Sequence, residues 1–387
     1  MSLYAFTEQE ALDLVERYPT PFFAYKLDIA RARFVELRAL LPDRVELAYA
    51  VKANPGLPLL TIFADMGSSF DCASVGELNA VRAAGGASRH ILFAGPGKSE
   101  GDLRAALGAS ARIQIDGIED VERLERLLME DGRDEVLGVN LRVHPASGIK
   151  EDSPIIGGSE PSAFGVDEED VPRFLAEAAR FKRVRIAGLQ VFASSNERNA
   201  ANLLSNHKKA LDIGRQLTED SGIALEYIDL GGGLGIPYGE TEAPLDIQNL
   251  STGLARLLKE NSWFCGQLIL EPGRWLAGPC GVYLSKVLRT KRSRGSDFAI
   301  LEGGINHLLR PLLTGQDFPC MALGQRGAQH DYILAGPLCT SLDRIGHARA
   351  AELEAGDAIM FGQVGAYGRT EAMGDFLSHP KPGEFWL

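Results

Sequence analysis

A chain of 387 residues with 45% hydrophobic content has enough apolar surface for one large domain and a smaller one. Forty Lys plus Arg stand against 52 Asp plus Glu, a net charge of −12, which argues against nucleic acid as a partner. No apolar run reaches membrane-spanning length, and residues 1–8 lack a basic segment followed by an apolar one, so a cytoplasmic protein with no membrane partner is expected.

In chain order, the apolar stretch 21–25 is expected to run into a β domain formed further along the chain. Eight candidate strands follow, at 46–52, 69–72, 91–94, 113–116, 138–143, 187–192, 227–230 and 268–271. Helical segments lie between them. One is 74–84, where Ser74 and Glu77 have the spacing of a capping box, and another is 200–216, with Asn199 placed as its N-cap. Eight strand–helix units in about 250 residues predict a TIM-type (β/α)8 barrel over 26–278. After Gly278 the strand-like runs 281–288, 297–301, 332–335 and 358–364 alternate with glycine-rich turns. They predict a mostly antiparallel β domain built from 279–387 together with 1–25. The five cysteines, Cys72, Cys265, Cys280, Cys320 and Cys339, are odd in number and without a CxxC, so neither a disulfide framework nor a metal site is expected.

Lys52 closes the first barrel strand and is followed by Asn54-Pro55, which predicts an amine delivered to a strand end where a turn opens. Burial of its stem would lower its pKa and make it a Schiff-base lysine; the plainer alternative is a lysine that snorkels to water. Catalytic groups of such barrels sit at the C-terminal strand ends, and the distinctive residues fall there in turn. Asp71 ends the second strand, Arg142 and His144 the fifth, Ser194 and Ser195 follow the sixth, Gly231-Gly232-Gly233 the seventh, and Glu271 ends the eighth. Backbone N–H groups of such a glycine loop can turn towards a phosphate, although a tight turn explains the glycines equally well. Glu271-Pro272-Gly273-Arg274 could hold a protonated heterocycle and a phosphate together, or form an internal salt bridge.

The set Tyr49-Ala50-Val51-Lys52-Ala53-Asn54, Phe70-Asp71-Cys72-Ala73-Ser74, Gly231-Gly232-Gly233, Glu271-Pro272-Gly273-Arg274, Gly336-Pro337-Leu338-Cys339 and Gly365-Ala366-Tyr367 resembles the diaminopimelate and ornithine decarboxylase family. These are pyridoxal 5'-phosphate enzymes of fold type III, the alanine racemase-like fold. The resemblance spans nearly the whole chain. It implies that Lys52 bonds the cofactor and Glu271 partners the pyridine nitrogen. Ser195, Gly231, Gly232, Gly233, Gly273, Arg274 and Tyr367 would hold the phosphate, with Asp71 and Arg142 supporting the lysine end. It also implies a homodimer in which Cys339 reaches the other subunit's site and protonates the carbanion. A carboxylate such as Glu271 keeps the ring nitrogen charged and the electron sink deep, whereas racemases sharing this barrel use an arginine there.

Three departures from the family pattern concern the substrate's far end. Phe192 stands where enzymes of basic amino acids stack a histidine on the cofactor; its ring stacks but does not titrate. Thr340 follows Cys339 where diaminopimelate decarboxylases carry an acidic residue for the distal ammonium, although Asp343 keeps one carboxylate in the same loop. Arg310 keeps the place of the arginine that meets a distal carboxylate, but the tyrosine that usually follows is absent. These departures, with 93–99 and 376–380, are similar to a biosynthetic subgroup that includes a butirosin-pathway glutamyl-carrier-protein decarboxylase. They imply decarboxylation of an L-amino acid whose distal end is acylated or conjugated, as on an acyl carrier protein or a siderophore intermediate. A diaminopimelate decarboxylase with altered distal contacts is the alternative, and a non-catalytic pyridoxal-phosphate-binding regulator a remoter one. The basic run 289–294 reads as the solvated tip of a hairpin or as a docking patch for an acidic carrier protein.

Overall fold

A computed structural model describes residues 2–87, 91–147, 161–324 and 327–387. The chain forms two compact units, Phe34–Gly235 with Leu245–Gly273, and Met1–Arg33 with Ile236–Pro244 and Arg274–Leu387. The start of the helix Leu27–Leu40 and the loop Ile236–Pro244 thus group with the second unit, whereas the sequence places them within 26–278. Packing is the reason. Arg33 donates from Nε to the Trp275 carbonyl at 3.0 Å and lies 3.4 Å from its ring, while a Cβ at Gly278 would fall 2.5 Å from Ile236 Cδ1.

Strand β1 (Phe22–Tyr25) belongs to the second unit. The first unit holds β2 (Val45–Ala50), β3 (Ser69–Cys72), β4 (Ile91–Phe93), β5 (Arg112–Ile115), β6 (Leu137–His144), β7 (Val166–Asp167), β8 (Val184–Gln190), β9 (Tyr227–Asp229) and β10 (Gln267–Leu270). They pair in parallel in the order β5-β4-β3-β2-β10-β9-β8-β6-β7, and pairing of β5 with β6 closes the eight-stranded barrel. The two-residue β7 is an extra edge on β6. All eight expected barrel strands are present, one with the expected bounds (Ser69–Cys72) and the others with shifted ends. The first stops at Ala50, and Val51–Ala53, including Lys52, is a 3-10 turn rather than strand.

Helix starts follow the local chemistry. Ser74 accepts from the Glu77 N–H at 3.2 Å, but the Glu77 carboxylate takes the Ala73 N–H, so the predicted reciprocal box is one-sided. Asn199 accepts from the Ala201 N–H at 2.9 Å and caps Ala200–Ser221.

Inside the barrel, Ala48, Leu92, Ala187, Tyr227 and Ile269 pack as one buried layer. The Tyr227 ring fits because its cross-strand partner is Gly188. A Cβ there would lie 2.2 Å from the ring, and a ring wedged among barrel side chains has no free end to swing away. Gly188→Ala is therefore expected to lower stability by about 1–3 kcal/mol, read from the denaturant midpoint. A change below about 0.5 kcal/mol would show that the ring relocates freely.

In the second unit, β11 (Gly281–Ser293), β12 (Ser296–Leu301), β13 (Cys320–Ala322), β14 (His330–Ala335), β15 (Arg344–Ala350), β16 (Ala358–Phe361) and β17 (Gly383–Trp386) join β1 in one sheet. Pairing is antiparallel except for β1–β17 and β12–β14. As expected, the 21–25 stretch enters this sheet, Phe22 lying opposite Leu284. Phe22, Ala24, Val282, Leu284 and Met360 form its buried core. The basic run lies on the outer arm of the β11–β12 hairpin, where Arg292 meets Asp297 at 3.1 Å. Among the described residues no helix is long and apolar enough to cross a membrane.

Candidate active site

Polar side chains that a hydrophobic core would exclude gather at the C-terminal ends of the barrel strands. Asp71, Gln114, Asn140, Gln190, Asp229 and Glu271 are each at most 3% exposed. Side chains that few internal partners satisfy here mark a place built for more than packing.

Lys52 reaches Asp71, its Nζ 3.0 Å from Oδ2. The lysine side chain is 43% exposed and open to a reactant, while Asp71 is 2% exposed and its Oδ1 meets no donor among the described residues. A Cβ at Gly273 would lie 2.9 Å from Ala53 Cβ and 3.1 Å from Ala50 Cβ. Only glycine lets the segment after Glu271 pack this closely on the turn that carries Lys52.

Glu271 is the most elaborately held carboxylate. Gln190 Nε2 donates to both of its oxygens, at 3.2 and 3.3 Å, and the buried Asp229 carboxyl influences it from nearby. Asp229 Oδ1 accepts from the Gly231 N–H at 2.9 Å, while Oδ2 meets no donor. Two buried carboxylates cannot both remain charged side by side, so one keeps a proton. Burial, and then the charge of Glu271, raises the Asp229 pKa well above the carboxylate range. Asp229 is the member of the pair that keeps the proton. Burial and then the charge of Asp71 push Glu271 up to about 7, opposed by Lys52, Asp229 and Arg142. An arriving cation would bring it back down and leave Glu271 ionised.

Arg142 faces the charges of Asp116, Glu271, Asp71 and Asp229, although burial is the largest influence and lowers its pKa. Its guanidinium carbon lies 4.3 Å from the Phe164 ring centre and 5.9 Å from that of Phe192. The Phe192 ring leans over the glycine loop, where a Cβ at Gly231 would come within 2.8 Å of it. The loop holding Ser195 is laced to that glycine loop, Glu197 N–H to Gly233 O at 2.8 Å and Gly235 N–H to Glu197 O at 2.9 Å. Gly231 and Gly233 have φ of +68° and +90°, which side chains rarely adopt. The N–H groups of Gly232 and Gly233 meet no acceptor among the described residues.

The second unit carries a separate constellation. Arg274, 5% exposed, donates from Nη1 to the Tyr238 hydroxyl at 2.5 Å and lies 4.5 Å from the Tyr367 ring centre. Arg310 lies 5.2 Å from the same ring, so two arginines flank Tyr367, itself held at φ +55°. Cys339 is exposed, beside the half-buried Thr340. Asp343 shapes their loop: its Oδ1 accepts from the Ile305 N–H and its Oδ2 from the Leu338 N–H, each at 2.7 Å. That arrangement organises backbone instead of leaving a carboxylate open for an ammonium ion.

Lys52, Asp71, Arg142, Phe192, the glycine loop and Glu271 thus share one end of the barrel, and Arg274, Tyr367 and Arg310 cluster in the other unit. Sequence reasoning passed over Gln190 and Asp229 as partners of Glu271, Tyr238 as the partner of Arg274, and Glu371, which pairs with Arg310. A polar residue closing an otherwise apolar strand was the available signal for the first two.

Residues 27–278 match the family model of the pyridoxal-dependent decarboxylase, pyridoxal binding domain. The chain is similar to the L-glutamyl-(BtrI acyl-carrier protein) decarboxylase of Niallia circulans, at 29% identity over 97% of this chain and 91% of that protein. It is also similar to diaminopimelate decarboxylase of Pseudomonas aeruginosa, at 31% identity over 94% of this chain and 87% of the relative. Among solved structures, diaminopimelate decarboxylase from Helicobacter pylori complexed with L-lysine matches with a TM-score of 0.88 and 26% identity, covering 97% of this chain and 93% of that one.

Proposed function

The chain belongs to the pyridoxal-dependent decarboxylases and uses pyridoxal 5'-phosphate, and from that premise we propose that it removes the α-carboxylate of an L-amino acid whose distal end is acylated or conjugated. The residues present fit the cofactor. The unpaired N–H groups of Gly232 and Gly233 suit a phosphate, and the buried Glu271 suits a charged ring nitrogen. When bound, pyridoxal phosphate supplies an electron sink for the pair released as CO₂ leaves.

The chain's own groups then have distinct tasks. Lys52 offers its amine at an open strand end, and Asp71 orients it through the 3.0 Å contact. Glu271, held by the Gln190 amide, sets a carboxylate against the ring nitrogen. Phe192 supplies an aromatic face, and Arg142 balances the surrounding carboxylates. Ser195, the glycine loop, Gly273, Arg274 and Tyr367 bind phosphate. Cys339, contributed by the partner in a homodimer, returns a proton to the α-carbon.

Thr340 in place of an acidic residue carries the distal reading, because a neutral hydroxyl gives a distal ammonium ion no counter-charge. In a relative that acts on a carrier-bound L-glutamyl group, decarboxylation at the α-position requires a free α-carboxylate, which leaves the distal carboxyl for the link. The similarity to diaminopimelate decarboxylases favours meso-diaminopimelate as the second reading. The test is CO₂ release from free lysine, ornithine, arginine and meso-diaminopimelate, and from carrier-loaded glutamyl, alanyl and diaminopropionyl groups. A conjugated substrate should exceed every free one in kcat/KM by at least about tenfold, the order of one good hydrogen bond. Preference for meso-diaminopimelate would select the second reading.

A further inference from the structure

Glu197 lies in the loop after β8 and is 2% exposed, yet among the described residues no cation pairs with it. A buried carboxyl group is costly unless its oxygens are hydrogen-bonded, and here both are. Oε1 accepts from the Asn199 N–H at 2.6 Å and Oε2 from Asn202 Nδ2 at 3.0 Å. Both donors belong to the start of the helix Ala200–Ser221, Asn199 being its N-cap. The side chain therefore ties its own backbone to the first turn of that helix.

The glycine loop leans on this backbone. Glu197 N–H donates to the Gly233 carbonyl at 2.8 Å, the Glu197 carbonyl accepts from the Gly235 N–H at 2.9 Å, and Glu197 bridges Leu234 in parallel. In a planar trans peptide the carbonyl and the N–H point in opposite directions. The Gly231 carbonyl is taken by the Glu271 N–H at 2.8 Å and the Gly233 carbonyl by Glu197, so two peptide planes are fixed. The first turns the Gly232 N–H outward, and the Gly233 N–H sits on the peptide between the two. Contact is close along the whole seam: a Cβ at Gly233 would fall 2.6 Å from the Ser194 carbonyl oxygen, and one at Gly235 2.6 Å from the Asn196 carbonyl carbon.

We propose that Glu197 is a positioning residue for phosphate: its carboxyl group, anchored on the first turn of the helix, holds the glycine loop so that the Gly232 and Gly233 N–H groups face the cofactor's phosphate. The loop follows β9, the seventh strand of the closed barrel, where barrels of this kind build phosphate sites from loop backbone. Glu197 acts through that backbone, since both of its carboxyl oxygens are already engaged. The inference rests on the phosphate reading of the glycine loop and is independent of the substrate's distal end.

The test uses the full chain freed of cofactor and titrated with pyridoxal 5'-phosphate and with pyridoxal, which carries a hydroxyl in place of the phosphate group. Each titration follows the change in absorbance to obtain Kd. The ratio of the two constants reads the phosphate's contribution, because a general loosening of the fold weakens both ligands together. The native protein should favour the phosphorylated form. Glu197→Ala should reduce that preference by about 10- to 100-fold, the order of one hydrogen bond to a charged group. Glu197→Gln, which keeps an acceptor for the Asn199 N–H, should stay within about threefold of native. Gly233→Ala disturbs the loop directly and should reduce the preference at least as far as Glu197→Ala. Should Glu197→Ala melt too low to titrate, Asn202→Ala removes only the 3.0 Å contact from a half-buried side chain and should reduce the preference by about 3- to 10-fold.

An unchanged preference in the Glu197→Ala or Asn202→Ala protein, with a fall in Gly233→Ala, overturns the proposal and leaves the glycine loop as the phosphate site. An unchanged preference in Gly233→Ala as well, or no preference in the native protein, overturns the phosphate reading of the loop and the proposal with it.

Discussion

Lys52→Ala and Cys339→Ala proteins, each inactive alone, should recover activity when their subunits are exchanged. Without Lys52 the amine that bonds the cofactor is gone, and Asp71, buried and already short of a donor at Oδ1, loses its 3.0 Å contact with an ammonium group. Without Cys339 the cofactor can still bind, but the α-carbon lacks a positioned acid, a loss of about 10²–10⁴ in turnover. Borohydride reduction distinguishes the two defects. It should fix the pyridoxyl group on Lys52 in the Cys339→Ala protein and leave no such adduct in Lys52→Ala. If Cys339 completes the opposite subunit's site, a heterodimer has one site with both defects and one with neither. Random exchange then restores about a quarter of the native sites, since half of the dimers are mixed and each has one sound site. Demonstrated exchange with no return of activity would show that the sites are not shared.

Glu271→Ala should retain cofactor yet lose about 10²–10³ in kcat, the range for removing one preorganised electrostatic partner. Glu271 is 3% exposed and receives the Gln190 amide on both oxygens, so its carboxylate is held in place before a cationic partner arrives. Removing it leaves the Gln190 amide without its acceptor and the ring nitrogen without an anion. Glu271→Gln tests charge apart from volume and should show a comparable loss in single-turnover decarboxylation. Near-native turnover in either variant would remove the argument that Glu271 commits this barrel to loss of CO₂ over racemisation.

The barrel was legible in the sequence because strands buried on both faces write near-continuous apolar runs, and several runs here end in or beside a residue too polar for a core. That is why Lys52, Asp71, Arg142, the glycine loop and Glu271 stand out at strand ends in the sequence alone. The lysine's turn was misread only in detail: Val51 and Ala53 are as apolar as strand residues, and the 3-10 conformation leaves no periodic signature over three positions. In the second unit, β13, β15 and β17 passed unseen. Short edge strands such as Cys320–Ala322 have no room for alternation, and Arg344–Ala350 buries Gly346, Ala348 and Ala350 beside Ile345, small residues that carry little hydrophobic signal.

What only the tertiary structure decided is which polar groups meet. Gln190 and Glu271 are 81 positions apart, and Arg310 and Glu371 are separated by 61, so neither pair has a local motif. Asp343 seemed an open carboxylate in a loop, and the fold gave both of its oxygens to backbone N–H groups. Local propensity and hydrophobic period act over a few residues and determine strands, helices and their ends. Pairing in a buried site depends on distances of a few ångströms, which exist only after the chain has closed on itself, and it is this closure that sets the Gln190 amide on Glu271 and pairs Arg310 with Glu371.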